Sequence, residues 1–218
     1  MPVEIIDVQQ NTPEWFQARC GLPTASNFQC LMAESADRKG RATYLRQVAG
    51  EILTGIPSES FKNAAMDRGH AMEPEAREMY AFMHDCEPVQ VGFVRNGRKG
   101  WSPDSLIGSS GCLEIKTQAP HLLIETIEKD VFPGVHKAQT QGGLLVGDLE
   151  WIDLVVFYTG MPLFEKRAVR DVAYIAKLSR EIDLFNEEVD ELVEKIRRYG
   201  AAPSREPLMS QLRTSVEA

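Results

Sequence analysis

The 218-residue chain is predicted to be a mixed α/β protein: a central mixed β-sheet flanked by helices, with one long C-terminal helix. Three observations predict this. Helix-type apolar spacing fills the first third of the chain. Alternating or continuous apolar runs with Gly-rich turns follow from Val89 to Thr117 and from Trp151 to Val169. A three-and-four apolar repeat then runs from Ile175 to Ile196.

Thr12-Pro13 pairs an N-cap residue with a first-turn proline, opening a helix through Trp15, Phe16 and Arg19 that stops near Gly21. Pro23-Thr24-Ala25-Ser26 starts a second helix through Phe28, Leu31 and Met32. After Gly40, the spacing of Tyr44, Leu45, Val48, Ile52 and Leu53 predicts a longer helix ending at Gly55-Ile56-Pro57. From Asp67 to Phe82, Met72, Ala76, Met79 and Tyr80 share one face while Glu73, Glu75 and Glu78 run alongside. The period then changes. Val89–Val94, Trp101–Ile107 and Cys112–Thr117 read as a meander of short strands, turning at Asn96-Gly97 and at Gly108 to Gly111. Helical segments from His121 to Lys129 and from Val135 to Val146 precede Trp151–Tyr158, whose continuous apolar run marks a strand covered on both faces. One more strand, Leu163–Val169, leads into a helix from Val172 to Tyr199. Its stripe suits packing along its own domain better than a coiled-coil seam. One domain is expected over residues 1–200, with a loosely ordered tail over residues 201–218.

Lys and Arg number 24 against 32 Asp and Glu, a formal charge of −8 that argues against a protein coating nucleic acid non-specifically. Local contact stays open, because a basic lining can coexist with an acidic exterior, and metal-holding carboxylates count as negative until the metal arrives. No apolar run approaches the roughly 20 residues of a membrane span, and Met1 to Gln10 lacks signal-peptide character, so a cytosolic protein is expected. Cys20, Cys30, Cys86 and Cys112 form no C-x-x-C pair and read as reduced, packed thiols.

The chemistry concentrates in the meander, at Ser102-Pro103-Asp104 and Glu114-Ile115-Lys116. Side chains two apart on a strand share a face, so Glu114 and Lys116 point one way, Leu113 and Ile115 into the core. A hairpin can bring Asp104 beside them. Two carboxylates converging in an apolar sheet repel each other unless a divalent cation bridges them. Such hard oxygen ligands suit Mg²⁺ or Mn²⁺. A lysine there can orient attacking water and offset charge on a phosphate. So short a pattern also arises by chance, and its context decides its weight.

That context resembles the PD-(D/E)-x-K nuclease superfamily with its restriction-endonuclease-like core, and within it the lambda-exonuclease or YqaJ-like viral recombinase family of phage-type alkaline exonucleases. Trp15, Arg19, Gly21, Thr24, Ala25 and Ser26 resemble the family's W-x(3)-R-x-G-x(2)-T-A-S opening; Gly69, Glu73 and Ala76 its G-x(3)-E helix; and Ser102 to Asp104, Glu114 to Lys116 and Ala138 to Gln141 follow in family order. Ser105 stands where many relatives have glycine.

The resemblance implies that Asp104 and Glu114, with the Ile115 carbonyl, ligate the catalytic Mg²⁺, and that Glu73 serves a second metal as ligand or outer partner. It implies Lys116 beside the nucleophilic water and Gln139 positioning that water. Arg19, Thr24, Ser26 and Ser102 would form a pocket for a terminal 5′-phosphate beside a helix start, where free N–H groups favour an anion. Met66 would be a wedge at the duplex end. The implied activity is 5′ to 3′ digestion of double-stranded DNA from 5′-phosphorylated ends, leaving a 3′ single strand. Implied partners are DNA, two further copies of the chain in a ring-shaped trimer, and a single-strand annealing protein in the bacterial host cytosol of a phage or prophage. Two other readings share part of this signal: an endonuclease of the same superfamily, and a non-catalytic DNA-binding scaffold. His70, His84, His121 and His136 form no spaced pair and receive no role.

Overall fold

The computed structural model describes residues 2–32, 38–58 and 64–199, with residues 38 and 64–67 described by their backbone alone. The expected tail therefore lies outside the described residues.

An N-terminal strand, β1 (Val3–Ile6), leads into α1 (Pro13–Arg19), where the Thr12 hydroxyl accepts the Trp15 N–H at 3.4 Å as the cap. A 3₁₀ turn (Ala25–Asn27) and the short α2 (Phe28–Met32) follow, then α3 (Arg38–Thr54) and α4 (Ala64–His84). Next come β2 (Phe93–Asn96), β3 (Gly100–Trp101), β4 (Ser105–Ile107) and β5 (Gly111–Thr117). Helices α5 (Pro120–Lys129) and α6 (Lys137–Gly147) cross over to β6 (Trp151–Phe157), then β7 (Phe164–Val169) and α7 (Val172–Arg197) complete the order. Two sheets result: a three-stranded antiparallel β1-β2-β3 and a four-stranded mixed β4-β5-β6-β7, in which β5 and β6 run parallel.

Three expectations are corrected. The meander is divided between the two sheets, because Pro103 removes a ladder donor between β3 and β4. The run from Val89 enters regular pairing only at Phe93, and Val89 makes a single bridge to Leu106. Here the N-terminal segment crosses over the chain: a Cβ on Gly92 would lie 2.0 Å from the Val8 carbonyl oxygen, and Gln10 Nε2 takes the Val91 carbonyl at 2.9 Å. Strand β1 itself escapes the sequence reading, since Val3 and Ile5 are exposed and leave no burial pattern to detect.

The apolar core lies on both faces of the mixed sheet. On one face Cys112 and Ile152 join Phe28, Tyr44, Trp101 and Leu144, covered by α7 through Leu178, Ile182 and Phe185. On the other, Leu113, Ile115, Val155 and Phe157 pack beneath Ala76 and Tyr80 of α4. The C-terminal stripe is thus spent inside this chain, as expected. Asp153 interrupts the apolar run of β6 and is fully buried. It is compensated by Arg167, which forks onto it with two bonds of 2.7 Å, and by the Tyr80 hydroxyl, also at 2.7 Å. No helix of the described residues is long and apolar enough to cross a membrane.

Candidate active site

The β4-β5 register pairs Ser105 with Leu113, so Asp104, one step earlier, comes beside Glu114. Its Oδ2 accepts the Ile115 N–H at 2.6 Å. The turn that carries Asp104 is held from two sides. Gln10 Nε2 donates to the Pro103 carbonyl at 2.8 Å, while Arg77 donates through Nε to Ser105 Oγ at 2.8 Å and through an η nitrogen to the Asp104 carbonyl at 3.4 Å.

Glu114 is 2% exposed and shares its face of β5 with Cys112, toward α6. Its Oε1 accepts Lys116 Nζ at 2.7 Å and also the Gln139 amide, which projects from the first turn of α6. The other oxygen, Oε2, is buried and has no hydrogen-bond partner among the described residues. Burial, and then the facing Glu114, holds the Asp104 carboxyl well above the usual carboxylate range. For Lys116, burial works to lower the ammonium, but Glu114 and Asp104 outweigh it and raise its pKa. The site therefore holds two converging carboxylates, one cation and an orphaned acceptor. Such a donor set fits a small, oxygen-preferring divalent ion. His136, just before α6, is pushed down to about 4 by burial and then by the Lys116 charge, so it is neutral.

Glu73 is not drawn into this cluster. Among the described residues no three His, Cys, Asp or Glu side chains come close enough to hold one ion together. Glu73 instead bonds His70 Nδ1 at 3.0 Å and lines a cavity of about 550 Å³ whose wall also includes Asp104, Arg77 and Gln10. Helix α4 reaches this wall because Gly69 leaves room: a Cβ there would sit 2.9 Å from Thr117 Oγ1 at the end of β5. This close approach is a physical reason for glycine in the G-x(3)-E pattern. Met66 lies on the same helix, but its side chain is outside the described residues.

A second cavity, of about 510 Å³, shares Asn11 and His70 with the first and is lined by Arg19, Trp15, Thr24 and Tyr44. Arg19 stacks over the Trp15 ring at 4.1 Å and donates to Ser102 Oγ at 2.9 Å. Among the described residues no carboxylate ion-pairs with it, and burial lowers its pKa from the ordinary value. Ser102 Oγ also accepts the Trp15 indole N–H at 2.9 Å. Thr24 heads the 3₁₀ turn without a side-chain cap; its hydroxyl meets Ser26 Oγ at 3.3 Å and accepts Asn27 Nδ2 at 3.3 Å. The anticipated helix dipole is thus a single turn followed by five helical residues, too short to draw an anion by itself.

Arg19, Thr24, Ser26 and Ser102 come together, as do Asp104, Glu114, Lys116 and Gln139. Gln141, two residues on, faces away and bonds the Val169 carbonyl at 2.9 Å and the Asp171 N–H at 2.8 Å. Sequence reasoning missed Gln10, Arg77 and Tyr44. Tyr44 hides in the apolar stripe of α3, but its hydroxyl accepts the Thr24 N–H at 2.9 Å and the residue lines the second cavity.

A family model described as the YqaJ-like viral recombinase domain matches residues 14–150. Among solved structures, the alkaline exonuclease of Laribacter hongkongensis is 32% identical, with a TM-score of 0.79 over 87% of this chain and 98% of its own. The same values hold for that enzyme in complex with dAMP. A phage-related exonuclease from Haemophilus somnus 129PT shares the fold, with 15% identity and a TM-score of 0.60 over 83% of this chain and 99% of that one. No curated protein matches the chain. The matched segment contains Arg19, Glu73, Asp104, Glu114, Lys116 and Gln139, and with the identity to the Laribacter enzyme it shows that the chain belongs to the YqaJ-like viral recombinase family and is a nuclease of the PD-(D/E)-x-K fold.

Proposed function

We propose that the protein is a Mg²⁺-dependent exonuclease, with Mn²⁺ as a substitute, that digests one strand of double-stranded DNA from 5′-phosphorylated ends. Digestion runs 5′ to 3′ and leaves 3′ single-stranded DNA for annealing-type recombination. The observation that carries this reading is the adjacency of two chemically different cavities. One holds the Asp104 and Glu73 carboxylates and the other the Arg19 guanidinium, which among the described residues has no carboxylate in an ion pair, with Asn11 and His70 forming a wall of both. An endonuclease needs only the first. The complex of the Laribacter relative with a nucleoside monophosphate is consistent with release of single nucleotides.

In this reading Asp104, Glu114 and the Ile115 carbonyl hold the catalytic cation, and Glu73 serves a second one from across the cavity. The bound cation supplies electrophilic charge to the scissile phosphate and acidity to water. Lys116 and Gln139, both anchored on Glu114 Oε1, orient the attacking water for in-line approach as it loses its proton. The Lys116 ammonium offsets charge building on the phosphate. Arg19, Ser102, Thr24 and Ser26 grip the terminal 5′-phosphate, which sets the distance from the end to the bond that breaks. Met66 wedges the duplex end. A ring of three copies around DNA would reconcile the charge of −8 with a basic inner lining, and the product strand passes to an annealing protein.

Linear 5′-phosphorylated duplex in millimolar Mg²⁺ is expected to release nucleotides while covalently closed circular duplex of the same sequence persists. Rapid loss of the circle would favour the endonuclease; no release from either would favour the scaffold. Arg19→Ala is expected to lower the ratio of rates on phosphorylated and hydroxyl ends by about 10²-fold, the scale of a lost charge-assisted fork to phosphate. An unchanged ratio would remove Arg19 from the pocket.

A further inference from the structure

A phosphate monoester presents three terminal oxygens, each able to accept more than one hydrogen bond, so a selective pocket needs donors beyond one guanidinium. The second cavity has one that nothing above uses. The Tyr44 hydroxyl accepts the backbone N–H of Thr24 at 2.9 Å, in a cavity whose wall also contains Arg19. That bond occupies an oxygen lone pair and polarises the O–H, which lies beside the Thr24 side chain and can turn from it to an anion seated in the cavity. The ring is 7% exposed and stacked on Phe185 at 5.3 Å, so the hydroxyl is delivered to one place with little rotational freedom. Glu51, the carboxylate in the same wall, is occupied by protein donors: its Oε2 accepts the Gly21 N–H at 2.7 Å, and its Oε1 the Ser58 N–H at 3.1 Å and the Gln47 amide at 3.4 Å. Burial holds the Tyr44 phenol above its ordinary pKa, so the hydroxyl remains a donor into alkaline solution.

We infer that Tyr44 is a specificity-determining residue of the end pocket, donating its hydroxyl proton to the terminal 5′-phosphate beside Arg19. This rests on the reading of that cavity as the phosphate pocket. Tyr44 joins the N-terminal half of α3 to Thr24, so seating the phosphate also orders the loop that carries Thr24 and Ser26.

The test is Tyr44→Phe in the full chain, which removes one oxygen and keeps the ring on Phe185. The ratio of digestion rates on phosphorylated and hydroxyl-ended duplexes is expected to fall about tenfold, the scale of one hydrogen bond to a charged group. An equal loss on both substrates, or an unchanged ratio in a folded variant, would overturn the assignment and leave Tyr44 a prop for Thr24. Should the variant melt at the assay temperature, 3-fluorotyrosine labelling of the wild-type chain gives a second readout. The ¹⁹F resonance of Tyr44 is expected to shift on saturation with inorganic phosphate, with Arg19→Ala abolishing the shift; a resonance that does not move would overturn the inference. A wild-type chain without end preference would defeat the pocket itself, whereas a preference that survives Tyr44→Phe defeats only this inference.

Discussion

Lys116→Ala is expected to slow duplex hydrolysis by about 10³-fold, the scale on which enzymes lose rate when one preorganised charge or donor at the reacting group is removed. Among the described residues, the same substitution leaves Glu114 Oε1 with only the Gln139 amide and Oε2 without a partner. A buried carboxylate stripped of its counter-ion is costly, and the folded state is expected to lose about 3 kcal/mol in EDTA. Millimolar Mg²⁺ should restore most of that loss, because a cation between Glu114 and Asp104 replaces the missing charge. Single-turnover cleavage on 5′-phosphorylated duplex and thermal melting with and without Mg²⁺ measure the two effects. Retained turnover would show that the lysine is misassigned. A stability loss indifferent to Mg²⁺ would show that no cation reaches the carboxylates.

Asp104→Asn is expected to remove activity as thoroughly, about 10³-fold, yet to move metal-free stability in the opposite direction. Asp104 is half-buried beside Glu114, and the two carboxylates repel each other. The amide oxygen of an asparagine still accepts the Ile115 N–H now bonded at 2.6 Å, so the turn keeps its anchor while one of the two repelling charges disappears. About 1 kcal/mol of added stability in EDTA is expected, which for a chain of this size raises the melting temperature by about 2–4 °C. Added Mg²⁺ should stabilise this variant less than the wild type. The two substitutions therefore make a sign test. Both abolish cleavage, but in EDTA one melts lower and the other higher than the native protein. Movement in the same direction would mean that these groups are ordinary parts of the framework and not a site strained toward a cation. Such strain is what a binding centre retains at the expense of its empty state.

Spacing makes the strand face of this centre readable, and the family resemblance gave its groups their expected roles. Glu114 and Lys116 must share a strand face because their separation is two. The Gly-rich turn after Ile107 promised a hairpin, and the observed pairing of Ser105 with Leu113 delivers Asp104 to Glu114. Pro13 after Thr12 marked the start of α1 correctly, and the apolar stripe of α7 correctly announced a helix laid along its own core. These features depend on residues near one another in the chain, where backbone geometry transmits the pattern directly.

Contacts between distant segments were not readable. Arg77 and Gln10 hold the Asp104 turn across 27 to 93 positions of sequence, and neither differs in type from an ordinary surface residue. Glu73, Glu75 and Glu78 looked alike on one helix; the fold sets Glu73 on the cavity wall and sends Glu75 to bond Thr159. Gln139 and Gln141 likewise share a motif, but the turn of α6 directs the first to Glu114 and the second to Val169. The close approach of Val8 to Gly92, 84 residues apart, is likewise announced by no local pattern. From the order of residues came the kinds of element and the strand face shared by Glu114 and Lys116, and from the family resemblance came the expected roles of the carboxylates, their lysine and Arg19. Folding settled which acids converge, which hydroxyls meet Arg19, and how the two cavities adjoin. Side-chain encounters across long stretches of chain depend on how whole elements pack, and no local period encodes that packing.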